Sequence, residues 1–139
     1  MGARRHCRLR ARLAHAPAVR AGGGACALAG GAVCVVALAL FAWAIATITR
    51  AGSNVPTNRP TTSIVDTGPY RFTRNPIYLG MMLGLVGLAI AFDSLWPLVT
   101  LVPFALVIRY GVVAREEAYL ERTFGEVYRR YRARVRRWL

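Results

Sequence analysis

From Ala21 to Thr49 the chain carries no charged residue. A helix needs roughly 20 apolar residues to cross the hydrocarbon core of a bilayer, because every backbone polar group there must be satisfied within the segment. Ala25 to Ile48 alone meets that length, so a transmembrane helix is predicted over 25–48. The competing assignment, a cleaved signal sequence, has an apolar region of only about 7 to 15 residues, much shorter than this run.

The flanks agree with a membrane location. Residues 1–24 form an Arg- and Gly-rich leader with Arg4, Arg5, Arg8, Arg10, Arg12 and Arg20, closed by Gly22, Gly23 and Gly24. The 139 residues are 55% hydrophobic yet carry a net charge of +13, with all 19 basic residues being Arg. Apolar blocks separated by cationic ends are what a bilayer selects. A chain this basic attracts polyanions in general, but the apolar runs point to membrane lipids as its partners and away from nucleic acid. His6 and His15 both lie in the leader, and Cys7, Cys26 and Cys34 have no metal-ligand spacing, so no metal site is predicted.

Arg50 to Arg74 is a polar connection rich in turn formers, among them Gly52, Asn54, Pro56, Asn58, Pro60, Gly68 and Pro69. A connection of that length in a small protein is usually functional or disordered. Asn75 to Ile108 then contains one charge, Asp93, followed by Ser94 and Pro97. This pattern predicts two short helices, 77–92 and 95–108, joined by a tight turn. At 1.5 Å per residue each leg falls short of the ~30 Å hydrocarbon layer, so the hairpin thins the bilayer or runs past these limits. Gly80, Gly84, Gly87 and Ala91 recur at helical spacing. Small residues in line let a second helix, or a ligand, come close, and packing within the hairpin is the expected use.

In the last segment Leu120, Phe124, Val127, Tyr131, Val135 and Trp138 recur every three or four residues, with Arg122, Arg129, Arg132, Arg136 and Arg137 turned the other way. The period predicts one amphipathic helix over 114–139, lying in the membrane interface with its apolar face down. The expected fold is therefore an all-α polytopic membrane protein with about three transmembrane helices, the last two a short hairpin (76–110), and a C-terminal interfacial helix.

Chemistry needs groups that such a scaffold does not require. Glu116 and Glu117 flank the apolar stripe, where a carboxylate is costly without a cationic or hydrogen-bonding partner; their alternative role is to favour the dipole of the helix start. Glu121 lies farther round and can pair with Arg in solvent. Arg109 precedes Glu116 by seven residues, and shares its face if the helix continues through Gly111; otherwise it snorkels at the end of a span. At the junction into the hairpin, Asn75 suits an N-cap and Pro76 a first helical turn. Arg74 and Tyr78 suit interfacial anchors. No dinucleotide-binding glycine motif, P-loop, nucleophile elbow or H-E-x-x-H occurs.

The run Ile64-Val65-Asp66-Thr67-Gly68-Pro69-Tyr70-Arg71-Phe72-Thr73-Arg74-Asn75-Pro76-Ile77-Tyr78-Leu79-Gly80, then a hairpin, then Arg115-Glu116-Glu117-Ala118-Tyr119-Leu120 and Phe124-Gly125-Glu126-Val127-Tyr128, is a specific combination. It resembles the membrane methyltransferases of the isoprenylcysteine carboxyl methyltransferase and phospholipid methyltransferase group, from about Thr62 to the C-terminus. The resemblance implies a methyltransferase-like region over 49–139 and S-adenosylmethionine as cofactor. Position by position it places cofactor contacts at Thr62, Ser63, Ile64, Val65, Tyr70, Asn75, Pro76, Ile77, Tyr78 and Glu116. It places Arg74 and Glu117 in catalysis, and implies a lipophilic or lipid-linked acceptor met at the cytoplasmic face, with Arg109 as its contact. A non-catalytic packing or assembly subunit is the alternative function.

Three features depart from the family pattern. Asn75 stands where many members have His, and an amide is no base near neutral pH. Val112 occupies the place where the isoprenylcysteine branch has a substrate-binding Arg, which argues against that branch. Relatives also have more spans ahead of the catalytic half. With three spans, the four Arg of the loop and the nine from Arg109 onward outweigh the six of the leader. The positive-inside bias then puts loop and C-terminus in the cytoplasm and the leader outside.

Overall fold

With no charge to hydrate, the first apolar run forms one 28-residue helix, α1 (Gly23–Arg50), in the computed structural model of the chain, which describes residues 23–52 and 64–139. The leader and the loop residues Thr62 and Ser63 thus lie outside the described residues. α1 closes on Arg50, whose charge suits a helix C-terminus, and the chain turns through Gly52 at φ +69°. After a short 3₁₀ helix (Gly68–Arg71) come α2 (Pro76–Ala91) and α3 (Trp96–Leu106). A π-helical stretch (Val107–Val113) links α3 to α4 (Ala114–Phe124), and α5 (Glu126–Arg134) ends the helical part. Among the described residues there is no strand.

The hairpin turns where expected. Asp93 takes φ +47°, a left-handed conformation that Asp tolerates, and the Ser94 amide donates back to the Ala89 carbonyl at 3.0 Å. The two legs differ in length. α2 has 16 residues and is too short to cross the hydrocarbon layer unaided. The second leg continues through the π-helical stretch as one helix, Trp96–Phe124, of 29 residues, and its last part carries the charged residues. Two helices are thus long and apolar enough to cross a membrane, α1 and Trp96–Phe124, with α2 a shorter apolar helix between them.

The glycine stripe of α2 packs against α1, not within the hairpin as expected. The chain supplies a matching row on α1, namely Gly30, Cys34 and Ala37, antiparallel to it. A Cβ at Gly87 would stand 2.6 Å from the Cys34 Sγ and 2.9 Å from its amide nitrogen, and one at Gly30 would overlap the Ala91 backbone. At Gly80 a Cβ would reach 3.2 Å from the Ala37 carbonyl oxygen. In lipid, where apolar burial between helices gains little, close backbone contact of this kind is what holds two helices together. α3 has no such row and leaves Val99, Val102 and Leu106 exposed.

The C-terminal segment is not one helix. Gly125, at φ +50° and ψ −118°, breaks it into α4 and α5, and Val135 becomes extended, so the chain beyond it leaves the helix. The break moves the apolar stripe by one residue: Tyr128 is buried, whereas the expected Val127 is 62% exposed. The stripe is also spent inside the protein, because Tyr128, Tyr131 and Val135 pack with Ile64, Leu120 and Phe124. Arg137, expected on the solvent face, turns inward.

The seam predicts a sharp contrast between neighbouring glycines. At Gly84 a Cβ would meet only the Ala37 Cβ at 3.9 Å, ordinary contact. Gly84→Ala is therefore expected to change stability by less than about 1 kcal/mol, while Gly87→Ala costs about 1–3 kcal/mol through overpacking. Unfolding of the two variants in detergent micelles measures the difference.

Candidate functional site

The loop reaches its place because Gly68 lets it touch α1. Its φ of +56° favours glycine, and a Cβ there would lie 2.8 Å from Thr47 Oγ1 and 3.3 Å from Trp43 Nε1. Pro69 follows in the first turn of the 3₁₀ helix and Tyr70 is buried behind it. The Tyr131 hydroxyl donates to the Tyr70 carbonyl at 2.8 Å, tying that turn to α5.

Thr73, Arg74 and Asn75 are then held by the chain's last residues. The Arg74 amide donates to the Arg136 carbonyl at 3.0 Å. Thr73 Oγ1 and Asn75 Nδ2 both donate to the Arg137 carbonyl, at 3.1 and 3.0 Å. Asn75 does occupy the N-cap position of α2, but its side chain makes no capping bond; its Nδ2 donates to the Arg137 carbonyl. Pro76 is buried in the first helical turn, as expected, and Ile77 is half-buried.

The two carboxylates of the acidic pair have opposite surroundings. Glu117 is almost buried and lies between two arginines: Arg74 Nη1 at 2.9 Å, and Arg137, whose Nε and Nη2 meet its two oxygens at 3.0 and 2.6 Å. Arg74 Nη1 also donates to the Tyr128 hydroxyl at 3.1 Å. Such forked, charge-assisted pairs are the strong ones, and removing one member leaves a charge stranded in a poor solvent. Glu116 is half-buried and accepts a bond from the Tyr78 hydroxyl at 3.2 Å; among the described residues no arginine pairs with it. In a chain with 19 arginines that exception is informative.

Phenols surround these groups. Burial, with the Glu116 charge second, pushes Tyr70 up to about 12, so it stays protonated and is a donor. Its hydroxyl is buried without a partner, as is Arg74 Nε. Burial likewise raises Tyr128 and Tyr131 above the ordinary tyrosine value. The arrangement can therefore offer one free carboxylate, phenol faces and two unused N–H or O–H donors to a ligand.

Most residues expected at a site do come together: Tyr70, Arg74, Asn75, Pro76, Tyr78, Glu116 and Glu117 lie at one end of the helices. Ile64 and Val65 are half-buried beside them. Arg109 is not brought in. It is exposed, with its guanidinium over Tyr110 at 5.5 Å, and the π-helical stretch between it and Glu116 removes the shared face that a regular helix would give. Tyr128 and Arg137 are the residues that the sequence pattern did not single out. The signal for Arg137 was indirect: a carboxylate beside an apolar stripe needs a cationic or hydrogen-bonding partner, and in an Arg-rich chain one of the arginines can supply it.

A sequence model of the phospholipid methyltransferase family matches residues 25–127. The chain belongs to that family. The match takes in α1, the loop, the hairpin and the acidic pair, and stops short of Tyr128, Tyr131 and the C-terminal arginines. An uncharacterized protein of Haemophilus influenzae is 41% identical over 63 residues, 45% of this chain and 100% of that relative. The nickel-cobalt-cadmium resistance protein NccN of Alcaligenes xylosoxydans xylosoxydans is 36% identical over 69 residues, 49% of this chain and 32% of that relative, so the match spans about a third of NccN. No solved structure matches.

The phenols provide a paired test. Tyr70→Phe removes a hydroxyl that has no partner, so the thermal midpoint of the ligand-free protein is expected to stay level or rise slightly. Tyr131→Phe strips the Tyr70 carbonyl of its donor and is expected to cost about 1–3 kcal/mol. Thermal unfolding of both in detergent distinguishes them.

Proposed function

We propose that this member of a methyltransferase family transfers the methyl group of S-adenosylmethionine to a lipophilic or lipid-linked acceptor at the cytoplasmic face of the cell membrane. The observation that carries this reading is Glu116, a half-buried carboxylate left without an arginine beside a buried, unpartnered tyrosine hydroxyl. A sulfonium cofactor has an ammonium, a carboxylate, a cationic centre and an adenine. The residues fit those needs: Glu116 for the ammonium, Arg74 through its unused Nε for the carboxylate, and the faces of Tyr70 and Tyr78 for positive charge. Thr62 to Val65, Asn75, Pro76 and Ile77 are proposed to complete the contacts.

When bound, the cofactor supplies an activated methyl group that is displaced in line. No protein nucleophile is needed, and the protein's contribution is to position the reactants and keep water out. The phenols, protonated at neutral pH, add donors without adding charge. Arg74 and Glu117 would form the floor of the site, where their ion pair fixes the start of α2. Arg109, at the lipid-facing surface, would meet the acceptor before it enters. Active site and C-terminus would both lie in the cytoplasm, since the arginine excess lies there.

Glu116 divides chemistry from structure. A charge-assisted hydrogen bond contributes about 1.5–3 kcal/mol, so Glu116→Gln is expected to weaken S-adenosylhomocysteine binding roughly tenfold or more. Glu121 is half-buried, with its side chain 40% exposed, and pairs with Arg129 and Arg132 at 3.5 and 3.2 Å, so Glu121→Gln should leave affinity unchanged. Calorimetry in detergent measures both; no saturable binding by the parent would favour the packing-subunit alternative. For topology, a reporter fused after Leu139, which is 80% exposed, is expected to read cytoplasmic, and a tag near Asp93 outside. An extracytoplasmic C-terminus would remove the site from the cytosolic cofactor pool.

A further inference from the structure

The chain's last residues, Val135 to Leu139, lie beyond the family match, yet they make more contacts to the candidate site than a solvated tail would. Val135 leaves α5 in an extended conformation, φ −117° and ψ 127°, with its side chain buried. The next two carbonyls accept three hydrogen bonds from three consecutive residues, Thr73, Arg74 and Asn75. The Arg137 side chain then crosses to Glu117, the same carboxylate that holds Arg74. One residue thus grips the junction with its main chain and α4 with its side chain.

We propose that this tail is a strap that positions the candidate site, acting through Arg137 as a positioning residue. The proposal rests on the methyltransferase reading of the site. Two effects follow from the bonds. Because Asn75 Nδ2 is given to the Arg137 carbonyl, the amide is fixed with Oδ1 as its remaining acceptor, at the residue just before Pro76 and the turn that bears Tyr78. Because Arg74 Nη1 is committed to Glu117 and Tyr128, the guanidinium is held with its buried Nε facing no protein partner. An acceptor on Asn75 and an unpartnered donor on Arg74, its neighbour in the chain, suit a ligand that carries both an ammonium and a carboxylate. A guanidinium fork is required for this, because its two parallel bonds set the carboxylate's orientation as well as its distance, which a point charge does not do.

The test uses the full chain in detergent with Arg137→Ala and Arg137→Lys. Amide hydrogen exchange across residues 72–76 reads the strap without any ligand, and calorimetry with S-adenosylhomocysteine reads the site. Arg137→Ala is expected to speed exchange at the Arg74 amide and to weaken affinity by about threefold to tenfold, with Arg137→Lys, which keeps the charge but loses the fork, between it and the parent. Should Arg137→Ala fail to fold, Arg137→Lys carries the comparison in the same direction. Faster exchange with unchanged affinity would make the tail a fixture of the fold only and overturn the proposal, as would unchanged exchange. If the parent itself does not bind S-adenosylhomocysteine, the methyltransferase reading falls and the positioning role with it, while the exchange data still report the strap.

Discussion

The carboxylate of Glu117 joins three segments that are far apart in the sequence. Arg74 comes from the loop, Glu117 from the end of the long second leg, and Arg137 from the chain's last residues. Arg74 and Glu117 are nearly buried and each would be costly to desolvate without the other, while Arg137, 31% exposed, closes the pair from the solvent side. The polar end of the molecule is therefore organised by a requirement for mutual neutralisation. Its apolar companion, the Tyr128, Tyr131 and Val135 cluster, packs beneath the same crossing.

The membrane half obeys a different rule. α1 and α2 meet through glycine, alanine and cysteine, so their attraction comes from close backbone approach and not from the exclusion of water. The two halves share a boundary at the start of α2. There Pro76 ends the strapped junction and Gly80, a turn later, begins the seam, so a shift of the helix along its axis would disturb both. Position along the membrane normal and geometry at the polar end are in this way set together.

Much of this was legible in the sequence, and what was not has a physical cause. The charge-free run of α1 and the apolar pair around Asp93 follow from local composition, which is why their existence and approximate limits could be read. That Glu121 would pair with arginine followed from its place away from the apolar stripe, although which arginines it meets, Arg129 and Arg132, did not. The partner of the glycine stripe could not, because a row of small residues states that something approaches but not what. The single C-terminal helix failed at Gly125, where one left-handed residue turned a continuous stripe into two, exchanging Val127 for Tyr128. The site divides in the same manner. Motif residues on the loop and on α4 could be named in advance, whereas Arg137 was one arginine among many until tertiary contact selected it.

The π-helical stretch from Val107 to Val113 accommodates one residue more than a regular α-helix of the same rise. Every residue after it is consequently turned by about 100° from where a regular α-helix of the same residues would put it. Rewinding the same seven residues as a regular α-helix would lengthen the helix by only about 1.5 Å, a change any bilayer accommodates. The rotation would matter far more. It would swing Glu116 and Glu117 together off Tyr78 and Arg74, leaving the composition, the motifs and the hydropathy of the chain almost unaltered. The winding of this helix is thus a setting of angle, and a relative one residue shorter here would reach the same placement of its acidic pair with a regular α-helix.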